Sequence, residues 1–137
     1  MQTVKAIYLA ASYLRRRELC GYASQLRAMN HDVTASWLWV ETEQVADDGL
    51  TLSGHKGALG MLAVMDYRDI DASDLVIVFT DPVSVSVRGG YLQEAGYAQG
   101  RRIPLVVVGA LRTLAMRHPN VRHFDTWEEC LAWLKEE

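Results

Sequence analysis

The stretch DLVIVFT, residues 74–80, is a near-continuous apolar run, and PLVVVG, residues 104–109, is a second. Runs without polar alternation mark strands covered on both faces, the situation of a parallel sheet flanked by helices. The rest of the chain fits that frame. Residues 4–10 are a shorter apolar run, and residues 13–29 place Leu14, Leu19, Tyr22, Ala23 and Leu26 at helical spacing. Residues 31–37 (HDVTASW) read as a second strand, residues 41–57 as a polar, turn-rich loop with some helix, and residues 58–73 as helix again. A Gly-rich stretch opens a helix over residues 89–100, and residues 121–124 supply a fifth strand. Thr126, Trp127, Glu128 and Glu129 form a capping box for a last helix that presents Trp127, Cys130, Leu131 and Leu134. Strands alternating with helices predict one domain over residues 1–137, a flavodoxin-like or Rossmann-like doubly wound α/β sandwich around a five-stranded parallel sheet.

Composition narrows the function. A chain of 137 residues, half of them apolar, has material for one core. Its net charge of −3 argues against an electrostatic binder of nucleic acid polymers, which carries a basic face. Cys20 and Cys130 lie far apart at apolar helix positions and match no metal spacing, and His118 and His123 form no metal-ligand constellation with them. Reduced core cysteines and no metal are expected. The opening MQTVKAIYLAAS has the wrong length and flanks for a secretory signal, and no apolar run approaches the roughly 20 residues of a membrane span. A cytoplasmic location without membrane contact is the expectation.

A doubly wound sheet takes its ligands in the crevice at the carboxyl ends of the strands. Tyr8 to Arg17 leave the first strand there, and Thr80 to Glu94 leave the third, so Glu94 belongs to the ligand edge. Gly89 and Gly90 just before it let backbone approach a ligand closely, and the amides of a helix start favour anionic groups. Two readings of Glu94 stand side by side. It complements the helix dipole, worth about 0.3–1 kcal/mol, or it is a carboxylate nucleophile toward a carbon that becomes cation-like, such as the anomeric carbon of a sugar.

Three segments, IYLAASYLRRREL, MDYRDIDASDLVIVF and GGYLQEAGYAQGRRIPLVVV, resemble in order and placement the nucleoside 2-deoxyribosyltransferase family, including its 2′-deoxynucleoside 5′-monophosphate N-glycosidase relatives. The most telling piece is Glu-x-Gly-x-Ala, present as Glu94, Gly96 and Ala98. The resemblance implies a flavodoxin-like fold, no cofactor, and cleavage of the N-glycosidic bond of a nucleoside or nucleotide, by hydrolysis or by transfer to another base. It implies that Glu94 attacks C1′ and holds the sugar as an ester, that the Tyr8 hydroxyl hydrogen-bonds that carboxylate, and that Asp66 helps hold the base. Departure of the base calls for an acid near its nitrogen. Asp66 is one choice among Asp66, Asp69, Asp71 and Asp74, and Tyr8 has an alternative as a core aromatic.

The chain departs from the family's pattern six residues before the glutamate, where Arg88 replaces an aspartate or a serine. A guanidinium cannot serve as an acid but is well shaped to grip a phosphate. With Gly89, Gly90, Ser86 and Ser84, and with Ser12, Arg15, Arg16 and Arg17 after the first strand, it predicts an anion pocket, and hence a nucleoside 5′-monophosphate as the ligand. Trp37 and Trp39 alternate, one expected inward and the other free to stack on a base or a partner subunit. His55 and Lys56 sit in the polar loop, within reach of the crevice. The family resemblance implies a homo-oligomer, here a dimer through helical faces. The alternative on the same fold is a non-catalytic module that binds or senses nucleotides.

Overall fold

The computed structural model describes residues 3–39, 56–84 and 90–137, with residues 56–62 as helix backbone only. Strand β1 (Ala6–Ala10) leads through a 3-10 turn (Tyr13–Arg15) into α1 (Arg16–Ala28). A two-residue β2 (Asp32–Val33) and a 3-10 segment (Ser36–Trp39) follow. Next come α2 (Lys56–Asp71), β3 (Leu75–Phe79), α3 (Gly90–Gly100), β4 (Leu105–Val108), β5 (Arg122–Phe124) and α4 (Trp127–Glu136). The five strands are all parallel in the order β2-β1-β3-β4-β5. This is the flavodoxin-like α/β sheet expected from the sequence. Among the described residues no helix is long and apolar enough to cross a membrane.

The two uninterrupted apolar runs are the sheet's centre: every residue of β3 and β4 is buried. Register then sets the faces, because successive side chains of a strand point to opposite sides. Tyr8 pairs with Val76 and Ala10 with Val78, so these face one way, while Leu9, Ile77 and Phe79 face the other. On the Phe79 side lie α1 and α4, with Tyr22 stacked between Phe79 (5.3 Å) and Trp127 (4.7 Å). On the Tyr8 side lie α2 and α3, joined by the Tyr67–Tyr97 ring contact at 4.4 Å.

The last helix starts as its capping box predicts: the Thr126 hydroxyl oxygen accepts from the Glu129 amide at 3.2 Å. Cys20 and Cys130 are free, and Cys130 is fully buried. At the carboxyl edge, Gly109 has φ +108°, and a Cβ there would lie 2.8 Å from Thr80 Oγ1. Only glycine allows β4 to leave the sheet that close to the end of β3.

The second strand is much shorter than expected. Residues 31–37 read as strand, yet pairing stops at Val33 and the chain coils into the 3-10 segment from Ser36. Tertiary contacts override the period-two pattern here. Asp69 captures the Ser36 amide and hydroxyl, and Trp37 Nε1 donates to the Leu9 carbonyl at 2.8 Å. Trp37 is buried, as the alternation implied for one of the pair, while Trp39 lies exposed under the Arg27 guanidinium at 4.2 Å. The expected loop over residues 41–57 and His55 lie outside the described residues, apart from the first turn of α2.

Candidate active site

Tyr8 comes from the middle of the sheet and Glu94 from the first turns of α3, 86 residues later, and their side chains meet: Tyr8 Oη donates to Glu94 Oε2 at 2.8 Å. Strand alternation aims the phenol at the α3 side. Ala95 and Ala98 let α3 settle closely on the sheet; both are buried. Glu94 is thereby carried inward, below the helix start, and is not a solvated acid at the helix surface.

Of the four candidate aspartates, three are occupied. Asp71 accepts from Tyr97 Oη and from Arg101 Nε on the protein surface. Asp74 accepts from the Ala6 amide at 2.9 Å, at the amino edge of the sheet. Asp69 accepts from the Ser36 amide at 2.9 Å and the Ser36 hydroxyl at 2.5 Å. Asp66 differs. Its Oδ1 is buried and has no hydrogen-bond partner among the described residues. It sits more than a turn before the end of α2, which lifts it about 7 Å from the amino edge toward the carboxyl edge.

Electrostatics tie the three groups together. Burial, then the neighbouring Glu94 and Asp66 carboxyls, hold the Tyr8 phenol well above its ordinary range, so it remains a donor. Burial and then the charge of Asp66 push Glu94 up to about 8, with the Tyr8 hydrogen bond acting in the opposite direction. Burial and then Asp69 push Asp66 up to about 7. Two carboxyls that both resist ionisation share protons near neutral pH, and titrate as a pair. Half-buried acids perturbed by desolvation and by neighbouring carboxyls are the usual mark of a reactive site.

The remaining predicted residues are distributed as follows. Gly90 is the first residue of α3, and a Cβ there, or at Gly96, would meet nothing within 4 Å among the described residues. Ser12 precedes the 3-10 turn and its carbonyl accepts from the Arg15 amide at 2.9 Å. The Arg15 guanidinium donates to both Glu18 oxygens (3.0 and 2.8 Å) and to the Thr80 carbonyl at 3.1 Å. It also lies 3.6 Å from Asp81. Arg16 Nη1 donates to the Leu38 carbonyl at 2.9 Å. Ser86, Arg88 and Gly89 lie outside the described residues.

Two participants carried no sequence signal. Arg112, in the loop after β4, donates to the carbonyls of Asp81 and Pro82. With Arg15 it grips the exit of β3 from both sides. The Ser36–Asp69 tether was equally hidden, although Asp66 and Asp69, three residues apart on a helix, share a face.

No protein-family model matches the sequence, and none of the curated proteins does. Among solved structures, the chain is similar to Clostridium botulinum CMP N-glycosidase, BcmB, with 19% sequence identity and a TM-score of 0.63. The similarity covers 97% of this chain and 100% of that one. Over nearly its whole length, then, this chain has the fold of that enzyme.

Proposed function

We propose that this protein belongs with the nucleoside 2-deoxyribosyltransferase-like enzymes and cleaves the N-glycosidic bond of a nucleoside 5′-monophosphate or deoxynucleoside, with Glu94 as nucleophile. The observation that carries this reading is the 2.8 Å hydrogen bond from Tyr8 to Glu94, which brings together two of the three resembling segments beside Asp66, whose Oδ1 has no hydrogen-bond partner among the described residues. The fold shared with a CMP N-glycosidase supports it.

In the first step a Glu94 oxygen bonds to C1′ while the C1′–N bond breaks, its electron pair leaves with the base, and Asp66 delivers a proton to the departing base. Tyr8 holds the attacking carboxylate in place. Water, or the nitrogen of a second base, then attacks C1′ and expels Glu94 as carboxylate, and the proton it releases returns to Asp66. Two displacements retain the anomeric configuration. Arg88 supports a 5′-monophosphate substrate and water as the acceptor.

The chemistry needs one proton on the Asp66–Glu94 pair, and needs it on Asp66; in the free protein Glu94 is the weaker acid, at about 8 against about 7, so substrate binding must move that proton to Asp66. Both groups are protonated below about 7, and both are ionised above about 8. The pH profile of kcat/KM is accordingly bell-shaped, with its maximum between those values.

The test is chromatographic detection of free base from nucleosides and their 5′-monophosphates, with and without an acceptor base, using wild type, Glu94→Ala and Arg88→Ala. The expected result is base released by wild type and lost in Glu94→Ala, with Arg88→Ala impaired on the monophosphate more than on the nucleoside. Nucleotide binding without base release by any of them replaces the enzyme reading with the binding module. A dimer is expected at assay concentration, and a monomer by light scattering would refute it.

A further inference from the structure

The outer sides of α2 and α3 are joined by a ladder of polar contacts that begins next to the two acids of the site. Gln93 Nε2 donates to Tyr67 Oη at 2.9 Å. One turn further along both helices, Tyr97 Oη lies 2.9 and 3.0 Å from the two Asp71 oxygens, and Arg101 Nε donates to Asp71 Oδ1 at 3.0 Å. The Tyr67 and Tyr97 rings meet at 4.4 Å. Solvent-exposed contacts of this kind contribute little net stability, and the buried Ile70, Ala95 and Ala98 already hold the two helices to the core. What the ladder adds is register. Burial of apolar surface is non-directional, whereas a hydrogen bond weakens steeply when its geometry is lost. Both helices return the chain between parallel strands and so run parallel, and the first two rungs each join residues 26 apart. Asp66 directly precedes Tyr67 and Glu94 directly follows Gln93. The first rung therefore ties together the neighbours of both acids and keeps the acids within two residues of level, about 3 Å along the helix axes.

We propose that Tyr67 and Gln93 are positioning residues, and that their hydrogen bond, the rung nearest the site, fixes the spacing of Asp66 against Glu94. The inference rests on the reaction proposed above. There Glu94 attacks C1′ while Asp66 protonates the departing base, and the separation of two such carboxyls decides whether both reach their atoms in one substrate pose. Glu94 is held from the sheet by Tyr8. Asp66 Oδ1 has no hydrogen-bond partner among the described residues, so its place relative to Glu94 depends on how α2 stands against α3. A misplacement of about 1 Å between reacting groups can cost a hundredfold in rate. The Tyr97–Asp71–Arg101 rungs continue the same alignment away from the site.

The experiment measures kcat, KM and Tm for Tyr67→Phe, Gln93→Ala, the double variant and Tyr97→Phe, and follows the carboxyl carbons of Asp66 and Glu94 by NMR titration. Tyr67→Phe keeps the ring contact and removes one oxygen. Each first-rung variant is expected to lower kcat about fivefold with KM and Tm nearly unchanged, and the double variant to lose no more than either single change. Tyr97→Phe, farther from the site, is expected to lose less. The Asp66 and Glu94 midpoints should both move in the first-rung variants, because the influence of one carboxyl on the other depends on their separation. An unchanged kcat in Tyr67→Phe overturns the proposal, as do losses that add in the double variant. So does a fall in kcat with both midpoints unmoved. If wild type releases no base, the reaction is refuted; midpoints that shift in Tyr67→Phe then still support the spacing role, and midpoints that stay fixed refute it as well.

Discussion

The two faces of the sheet are built from alternate residues of the same strands and solve opposite problems. On the α1/α4 face, Phe79, Tyr22 and Trp127 stack, and the polar tips are provided for: Trp127 Nε1 donates to Gln25 at 2.7 Å and Tyr22 Oη to Glu18 at 2.6 Å. On the α2/α3 face, Tyr8 turns a phenol toward two carboxyls that burial pushes up, one of them with an oxygen lacking any hydrogen-bond partner among the described residues. Burying an ionisable group without full compensation costs free energy. The aromatic face supplies stability, and the acid face holds carboxyls at a cost in free energy.

Mutations should separate the faces. The largest effect is expected at Glu94, whose replacement by Gln should lower base release on the order of a thousandfold or more, measured by single-turnover assay. The same change should stabilise the fold. Glu94 has its pKa raised from its ordinary 4.5 to about 8, so stability from its proton is present in full below 4.5 and lost as pH rises through about 8. Glu94→Gln should therefore gain about 2–4 kcal/mol over wild type at pH 9 and nothing at pH 4, read by urea denaturation. A loss of stability at pH 9 would break the contrast between the faces.

Trp127→Ala is the mirror experiment. Removing a side chain that is 4% exposed and packed on Tyr22 and Phe79 should cost about 3–5 kcal/mol, with kcat/KM per folded molecule unchanged. Next comes Tyr8→Phe, which deletes the donor that favours ionised Glu94. Rates near pH 7 should fall about tenfold to a hundredfold, with the basic limb of the profile displaced to higher pH because Glu94 then holds its proton more tightly. The smallest effect is that of Thr126→Ala, which removes the α4 cap for about 1 kcal/mol and leaves the pH profile untouched. A shifted profile there would show that the faces are coupled.

Much of this molecule was legible in the chain. The runs at residues 74–80 and 104–109 became β3 and β4 within a residue or two at each end, and the capping box at Thr126 opened α4 as read. Glu94 and Tyr8 stood out through the segments they occupy. The length of β2 did not, because its strand-like alternation lost to Asp69 and Leu9, which pull Ser36 and Trp37 into a helical turn. Nor did the choice among four aspartates within nine residues of sequence. It took Arg101, Ala6 and Ser36, each from a different element, to occupy Asp71, Asp74 and Asp69 and leave Asp66 facing Glu94.

The sequence by itself determined the order and type of the elements, because hydrophobic period and caps are local consequences of backbone geometry. It also narrowed the candidate acids to Glu94 and four aspartates. Which carboxyl is buried, which is tethered and which keeps a proton was decided only by tertiary structure. Those properties depend on groups within a few ångströms, and at this site they are brought there from up to 86 residues away by the packing of α2 and α3 on one face of the sheet.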